Sequence, residues 1–383
     1  MKKMLSLAAM FAVLASASTA QAELKLGGDA SVRVREASYA GDTNNTDDNL
    51  NWEYRVRLNA SADLGKGYFF KAMITNDNEA GGWVTSENSQ NEFSLGVSNF
   101  YFGRMLENCH YMAGRLPLNS FNNPIFDITL FPTTAVDNPV DNIFMDRAFG
   151  LNYGTKIGNG MLNATLVVLD DASMTTSPSI EGDGIFNDGY ALHLDYKVNV
   201  GNVTLEPQFL TVLTNGTTLS QPIDVLDAGF YPNYVKITPW TVGGLVGVPA
   251  GDLKLTFGAF YTACNDTTHD PTPHYITDDE TTPVYYNGTS VDYNGYLFRV
   301  KGEIGNFMIS YDYNRATDKV GVDTKYTNNF IWAQYKIPVY SSAMGSVTLQ
   351  PTLRYTTNKA ESNGITYVDQ QRLRSELWAT VTF

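Results

Sequence analysis

The chain has 383 residues, a formal net charge of −14, and only 17% charged against 13% aromatic side chains. Soluble domains average about 25% charged residues, so this surface is poor in charge, and the acidic balance argues against nucleic acid, whose phosphates need a basic footprint. After residue 22 no apolar run reaches the roughly 20 residues of a spanning helix, which excludes a polytopic helical membrane protein, and two cysteines cannot staple a chain this long.

Residues 1–22 read as a secretory signal peptide. Lys2 and Lys3 form a basic start, Met4 to Leu14 an apolar stretch, and Ala20-Gln21-Ala22 a small-residue cleavage site. Cleavage removes both lysines and takes the net charge from −14 to −16. The exported part, 23–383, reads as a single domain.

From there the chain alternates apolar and polar residues, the pattern of half-buried strands. In the first run Leu24, Leu26, Gly28, Ala30, Val32 and Val34 share one face, and Lys25, Asp29, Ser31, Arg33 and Arg35 the other. The second run sets Leu50, Trp52, Tyr54, Val56, Leu58, Ala60 and Ala62 against Asn51, Glu53, Arg55, Arg57 and Asn59. Near the other end, Phe307, Ile309, Tyr311 and Tyr313 alternate with Met308, Ser310, Asp312 and Asn314.

Connections alternate between short and long. Short turns fall at 65–67, 105–109, 158–160, 199–202, 249–252, 305–306 and 338–346, where Gly and Asn supply the positive φ of tight hairpins. Long loops fall near 36–49, 77–92, 117–145, 170–188, 214–233, 263–292, 316–328 and 356–371. Seven turns and eight loops predict sixteen strands, with both termini on the short-turn side; a hairpin inside 263–292 or 117–145 would raise the count to 18. Strands of about ten residues with tyrosine-rich ends favour a transmembrane antiparallel β-barrel over a soluble sandwich, whose strands run nearer 5–6 residues. Closure also satisfies every strand edge, which lipid demands.

The last strand, Leu373 to Phe383, alternates Leu373, Ser375, Leu377, Ala379 and Val381 and ends on Phe383. A long loop follows the fifth strand, entered through Gly114-Arg115-Leu116-Pro117-Leu118-Asn119-Ser120. In these features the chain resembles the sixteen-stranded Gram-negative outer-membrane porins. The resemblance implies a water-filled channel for passive diffusion of ions and small hydrophilic solutes and a constriction loop (117–145) folded into the lumen. It further implies a homotrimer, contact with outer-membrane lipid and lipopolysaccharide, and Phe383 as the signal read by the assembly machinery. Two rivals remain at this point, a structural or adhesive barrel with a closed lumen and a substrate-selective porin.

Strand parity assigns Arg33, Arg35, Arg55, Arg57, Lys71, Arg354, Arg372 and Arg374 to the lumen, and closure makes the first and last strands neighbours, so they form one basic wall. The third long loop offers Asp127, Asp137 and Asp141, with no basic residue before Arg147. Basic wall facing acidic loop predicts a transverse field across the constriction. The long loops together hold 28 acidic residues against Lys319, Lys325 and Lys359, so an acidic mouth competes with the basic wall.

Other chemistry is weakly signalled. Asp278-Asp279-Glu280 and the stretch from Asp137 to Asp141 could touch Ca²⁺, but neither has the spacing of a calcium loop. The four histidines lack metal-ligand spacing, and no cofactor is expected. His193 alternates with Asp195, yet no serine motif joins them, so an enzyme is not expected. Cys109 and Cys264 fall at opposite ends of a wall about 25 Å tall, too far apart for a disulfide.

Overall fold

Alternating side chains, joined by turns too short for anything but an adjacent antiparallel strand, build one sheet that closes on itself. The computed structural model describes residues 23–41, 49–76, 83–85, 95–118, 122–126, 147–170, 189–213, 238–267, 274–275, 283–284, 290–319 and 322–383. Its strands are β1 (Glu23–Gly41), β2 (Asn49–Gly65), β3 (Tyr68–Thr75), β4 (Val84–Thr85), β5 (Gly96–Met105), β6 (Cys109–Pro117) and β7 (Arg147–Ile157). There follow β8 (Gly160–Asp170), β9 (Gly189–Val200), β10 (Val203–Val212), β11 (Trp240–Ala250), β12 (Leu253–Thr267), β13 (His274–Tyr275) and β14 (Pro283–Val284). The chain ends with β15 (Ser290–Ile304), β16 (Phe307–Asp318), β17 (Thr324–Tyr335), β18 (Ile337–Ser342), β19 (Gly345–Ser362) and β20 (Ile365–Thr382).

Eighteen of these form one antiparallel sheet, closed where β1 pairs with β20. They fill sixteen positions, because β3 and β4 both pair with β2, and β17 and β18 both pair with β19. β13 and β14 form a separate two-residue ladder outside the barrel sheet, so the described residues between β12 and β15 add no barrel strand. At the seam Gly28 and Phe383 exchange backbone hydrogen bonds of 2.8 and 3.0 Å. A Cβ on Gly28 would stand 2.3 Å from the Arg57 carbonyl oxygen and 3.2 Å from the Phe383 ring, so the close approach there requires glycine.

The connections differ from the sequence expectation most at two places near the C-terminus. Residues 356–371 are not a long loop. β19 and β20 run on to a two-residue turn, Asn363-Gly364, with φ of 52° and 74°. Their polar outward residues, Thr357, Lys359, Asp369 and Gln371, resemble a loop in composition but pair as a ladder. The expected 338–346 turn contracts to Ala343-Met344, because β18 carries the hairpin further toward its tip. Cys109 opens β6 and Cys264 lies within β12, and neither forms a disulfide.

Directly opposed residues share a face, and the outward rows record where lipid ends. Across β16, β17, β19 and β20 the row Tyr311–Ile331–Tyr355–Leu373 is apolar and aromatic. The next row toward the long-loop end is Tyr313–Asn329–Thr357–Gln371, and then comes Arg315–Thr327–Lys359–Asp369. A tyrosine girdle giving way to charge is the signature of a membrane–water boundary.

Candidate functional site

The inward face is where chemistry concentrates, and it divides into two halves. One half runs from β16 through β17, β19, β20 and β1 to β3. Register places Arg33, Arg35, Arg55, Arg57, Lys71, Arg354, Arg372 and Arg374 all on this face. Arg354 stands directly opposite Arg374, and Arg372 opposite Thr356. The pairing of β20 with β1 joins the two groups of arginines.

Three carboxylates that parity alone did not single out share the wall. Arg57 donates from Nε and Nη2 to both oxygens of Asp29, at 2.9 to 3.2 Å. Glu53, 2% exposed, pairs with Arg33 and accepts from Arg35 Nη2 at 2.6 Å. Glu376 Oε2 accepts from Trp378 Nε1 at 2.7 Å and faces Arg33 Nη1 at 3.4 Å and Arg354 Nη2 at 3.6 Å. The signal for Glu53 and Glu376 was present, since each has the parity of its neighbouring arginines.

Three tryptophans flatten the guanidinium groups against the wall. Arg354 lies 3.9 Å from the Trp332 ring centroid, and Arg33 and Arg55 lie 4.4 and 4.7 Å from that of Trp83. Trp83 and Trp378 meet at 5.0 Å. Such cation–π contacts contribute about 0.5–2 kcal/mol each. Trp83 was read as part of a loop; it precedes β4, whose pairing with Glu53 and Tyr54 brings it onto the arginines.

Further round, β16 meets β15 through a buried pair. Arg299 donates to Asp312 from Nε at 2.7 Å and from Nη2 at 2.8 Å, with both side chains at most 3% exposed. This pair too escaped the sequence reading, because Arg299 and Asp312 lie on different strands and meet only through the pairing of β15 with β16.

The other half, β7 to β15, carries an apolar patch on its inner face beside its polar residues. Ala148, Val167, Ala191, Leu210, Val212, Phe260 and Leu297 point inward and form one buried cluster with Ile125 and Phe126. Those two residues belong to the segment 117–145. Phe126 also meets the His193 ring at 4.9 Å, and Asn122 Oδ1 accepts from Lys301 Nζ at 3.2 Å. His193 Nε2 donates to Gln208 Oε1 at 3.0 Å and shares its face with Asp195, which accepts from Asn163. These side chains satisfy one another within the wall.

Of the remaining sequence-derived residues, Asp127, Asp137 and Asp141 lie outside the described residues, as do 1–22 and the stretch 278–280. No group of three or more potential metal ligands occurs among the described residues. Arg115 faces outward, its guanidinium 5.9 Å from the Phe149 ring.

The comparisons with known proteins agree with this architecture. Curated protein sequences gave no match. Among solved structures, the anion-selective porin of Comamonas acidovorans aligns with a TM-score of 0.54 at 12% identity, covering 94% of this chain and 100% of that one. A loop-deletion mutant of the Vibrio cholerae outer-membrane protein OmpT aligns at 0.53 with 9% identity, covering 94% and 99%. The outer-membrane channel DcaP of Acinetobacter baumannii aligns at 0.51 with 14% identity, covering 95% and 98%. At these identities the likeness is one of fold. The family profile for Gram-negative porins matches residues 6–368. With its closed sixteen-position barrel, the chain belongs to the Gram-negative porin family, integral outer-membrane channels for passive diffusion of small solutes.

Proposed function

We propose that this channel is a water-filled pore whose basic half-wall sets its ion preference and whose third long loop narrows the lumen from the opposite side. The observation that carries the reading is the division of the inner wall. Eight cations share one half with Asp29, Glu53 and Glu376, while the other half is apolar where Ile125 and Phe126 pack on it. Charged side chains on a water-filled lumen tune which ions enter. Apolar inward residues, in contrast, gain nothing by facing water and are stable where protein covers them.

On this reading the excess of cations makes the narrow section favour anions, against the acidic mouth of the long loops. Salt screens exposed charge beyond about 8 Å at physiological ionic strength, so the mouth weakens first as salt rises. The family reading extends to a homotrimer seated in lipid and lipopolysaccharide, to Phe383 as an assembly signal, and to a channel without catalytic chemistry. Planar-bilayer recording of the purified protein tests the pore. Ohmic conductance in steps of three supports an open trimer, steps of one a monomer, and silence from folded protein a closed barrel.

A further inference from the structure

Arg33 and Glu53 face the lumen by register, yet they are only 5% and 2% exposed. Charge that dry on the inner wall of a water-filled barrel needs a layer laid over it. The layer is Trp83. Its ring takes the guanidinium groups of Arg33 and Arg55 at 4.4 and 4.7 Å and meets Trp378 at 5.0 Å. Trp378 belongs to β20 and Arg33 to β1, whereas Trp83 adjoins β4, with β2 lying between. Neighbouring strands are about 4.8 Å apart, so the indole reaches back across β2 and β1 on their inner side.

The backbone is interrupted to put it there. The pairing of Arg57 with Thr75, continued, would set position 78 opposite Tyr54; Val84 stands there instead, six residues later. Asn76 closes the ladder where the chain leaves it. Its Oδ1 accepts from the Val56 backbone N–H at 2.7 Å, and its Nδ2 donates to the Tyr54 carbonyl at 3.5 Å, standing in for a strand's own backbone. Beyond the insertion β4 pairs with Glu53 and Tyr54 and fixes the inner position of Trp83 beside it. An unbroken strand would satisfy the same backbone groups, so pairing alone does not call for the extra residues.

The place of this second layer in the ring is also informative. Eight strand positions separate β1 from β10 in either direction round the barrel. The inner cluster that holds Ile125 and Phe126 runs from Ala148 on β7 to Leu297 on β15, with Leu210 on β10 near its middle. Trp83 and those two residues thus project from opposite sides of the wall.

We propose that Trp83 is a size-determining residue of the channel, a fixed projection that narrows the lumen from the β1 side and limits which uncharged solutes pass. The proposal rests on the open-channel reading and adds to it an element separate from the third long loop. Uncharged solutes are the fitting probe, because they read the width of the lumen without reading the charge of its wall.

The test is swelling of proteoliposomes in arabinose, glucose and sucrose, compared for the unmodified protein, Trp83→Ala and Trp83→Phe. Trp83→Ala should raise the sucrose-to-arabinose rate ratio about threefold, since passage of the larger sugar depends most steeply on pore diameter. Trp83→Phe, a smaller ring that still covers Arg33, should raise it by less. The same ratio in all three proteins, including an equal rise for every sugar, overturns the assignment and leaves Trp83 a packing residue while the channel stands. Absence of swelling in arabinose with the unmodified protein overturns the channel reading itself. Where Trp83→Ala fails to insert, Trp83→Phe decides: a raised ratio supports the projection and an unchanged one overturns it.

Discussion

The two halves of the inner wall share a backbone plan and differ in what covers them. From β16 to β3 the inward face carries arginines, carboxylates and amides around a small apolar cluster of Met308, Phe330, Trp332 and Trp378. From β7 to β15 inward residues such as Val167, Leu210 and Phe260 are as apolar as the outward ones. A strand with lipid on one side and water on the other must alternate, while one with lipid on one side and protein on the other need not. The inner face therefore divides according to what lies against it, charged and polar neighbours on one half and Ile125 with Phe126 on part of the other.

The comparison breaks most readily at its buried ionic contact. Asp312→Ala removes the carboxylate that accepts two hydrogen bonds from the buried Arg299, and should destabilise the barrel by about 3–5 kcal/mol. Urea unfolding of detergent-solubilised protein measures this, and a shift under 1 kcal/mol would show that water reaches the pair. On the apolar half, Ile125→Ala should cost about 2–5 kcal/mol through the lost packing and the cavity left behind. It should also raise single-channel conductance as the loop loses its seat. Unchanged conductance would separate the seat from the constriction.

A smaller effect is expected at the tryptophans. Trp83→Ala removes the ring under Arg33 and Arg55 and should cost about 1–3 kcal/mol. The greater consequence is for transport, because the freed guanidinium groups can swing into the lumen and broaden the conductance levels. The smallest effect belongs to Lys71→Gln, an exposed lumen cation away from the arginine rows. Its stability change should lie within about 0.5 kcal/mol, with a slight loss of anion preference in the reversal potential.

The sequence was most legible where the wall faces water. Parity alone placed Arg33, Arg35, Arg55, Arg57, Arg354, Arg372 and Arg374 on one face, and closure made them neighbours. It did not reveal the ion-pairing of Glu53 and Glu376, because pairing across strands depends on register, which a one-residue slip would destroy. Trp83 was lost because β4 is only two residues long, too short for any periodicity. The 356–371 segment was misread for a related reason. Above the girdle the outward face is polar too, as Thr357, Lys359, Asp369 and Gln371 show, so β19 and β20 lose the apolar–polar alternation that marks a strand and keep only their pairing. β11, nearly continuous in Gly, Val and Leu, shows the opposite loss, with apolar surroundings on both faces.

The most direct test of the account is the reversal potential under a KCl gradient, measured for the unmodified protein and for Arg55→Gln, Arg57→Gln and Arg374→Gln combined. If the basic half-wall rules permeation, the unmodified channel prefers chloride, more so as salt screens the acidic mouth, and the triple variant shifts toward potassium. An identical reversal potential in both proteins would contradict it, and would assign ion preference to the loops instead of the wall.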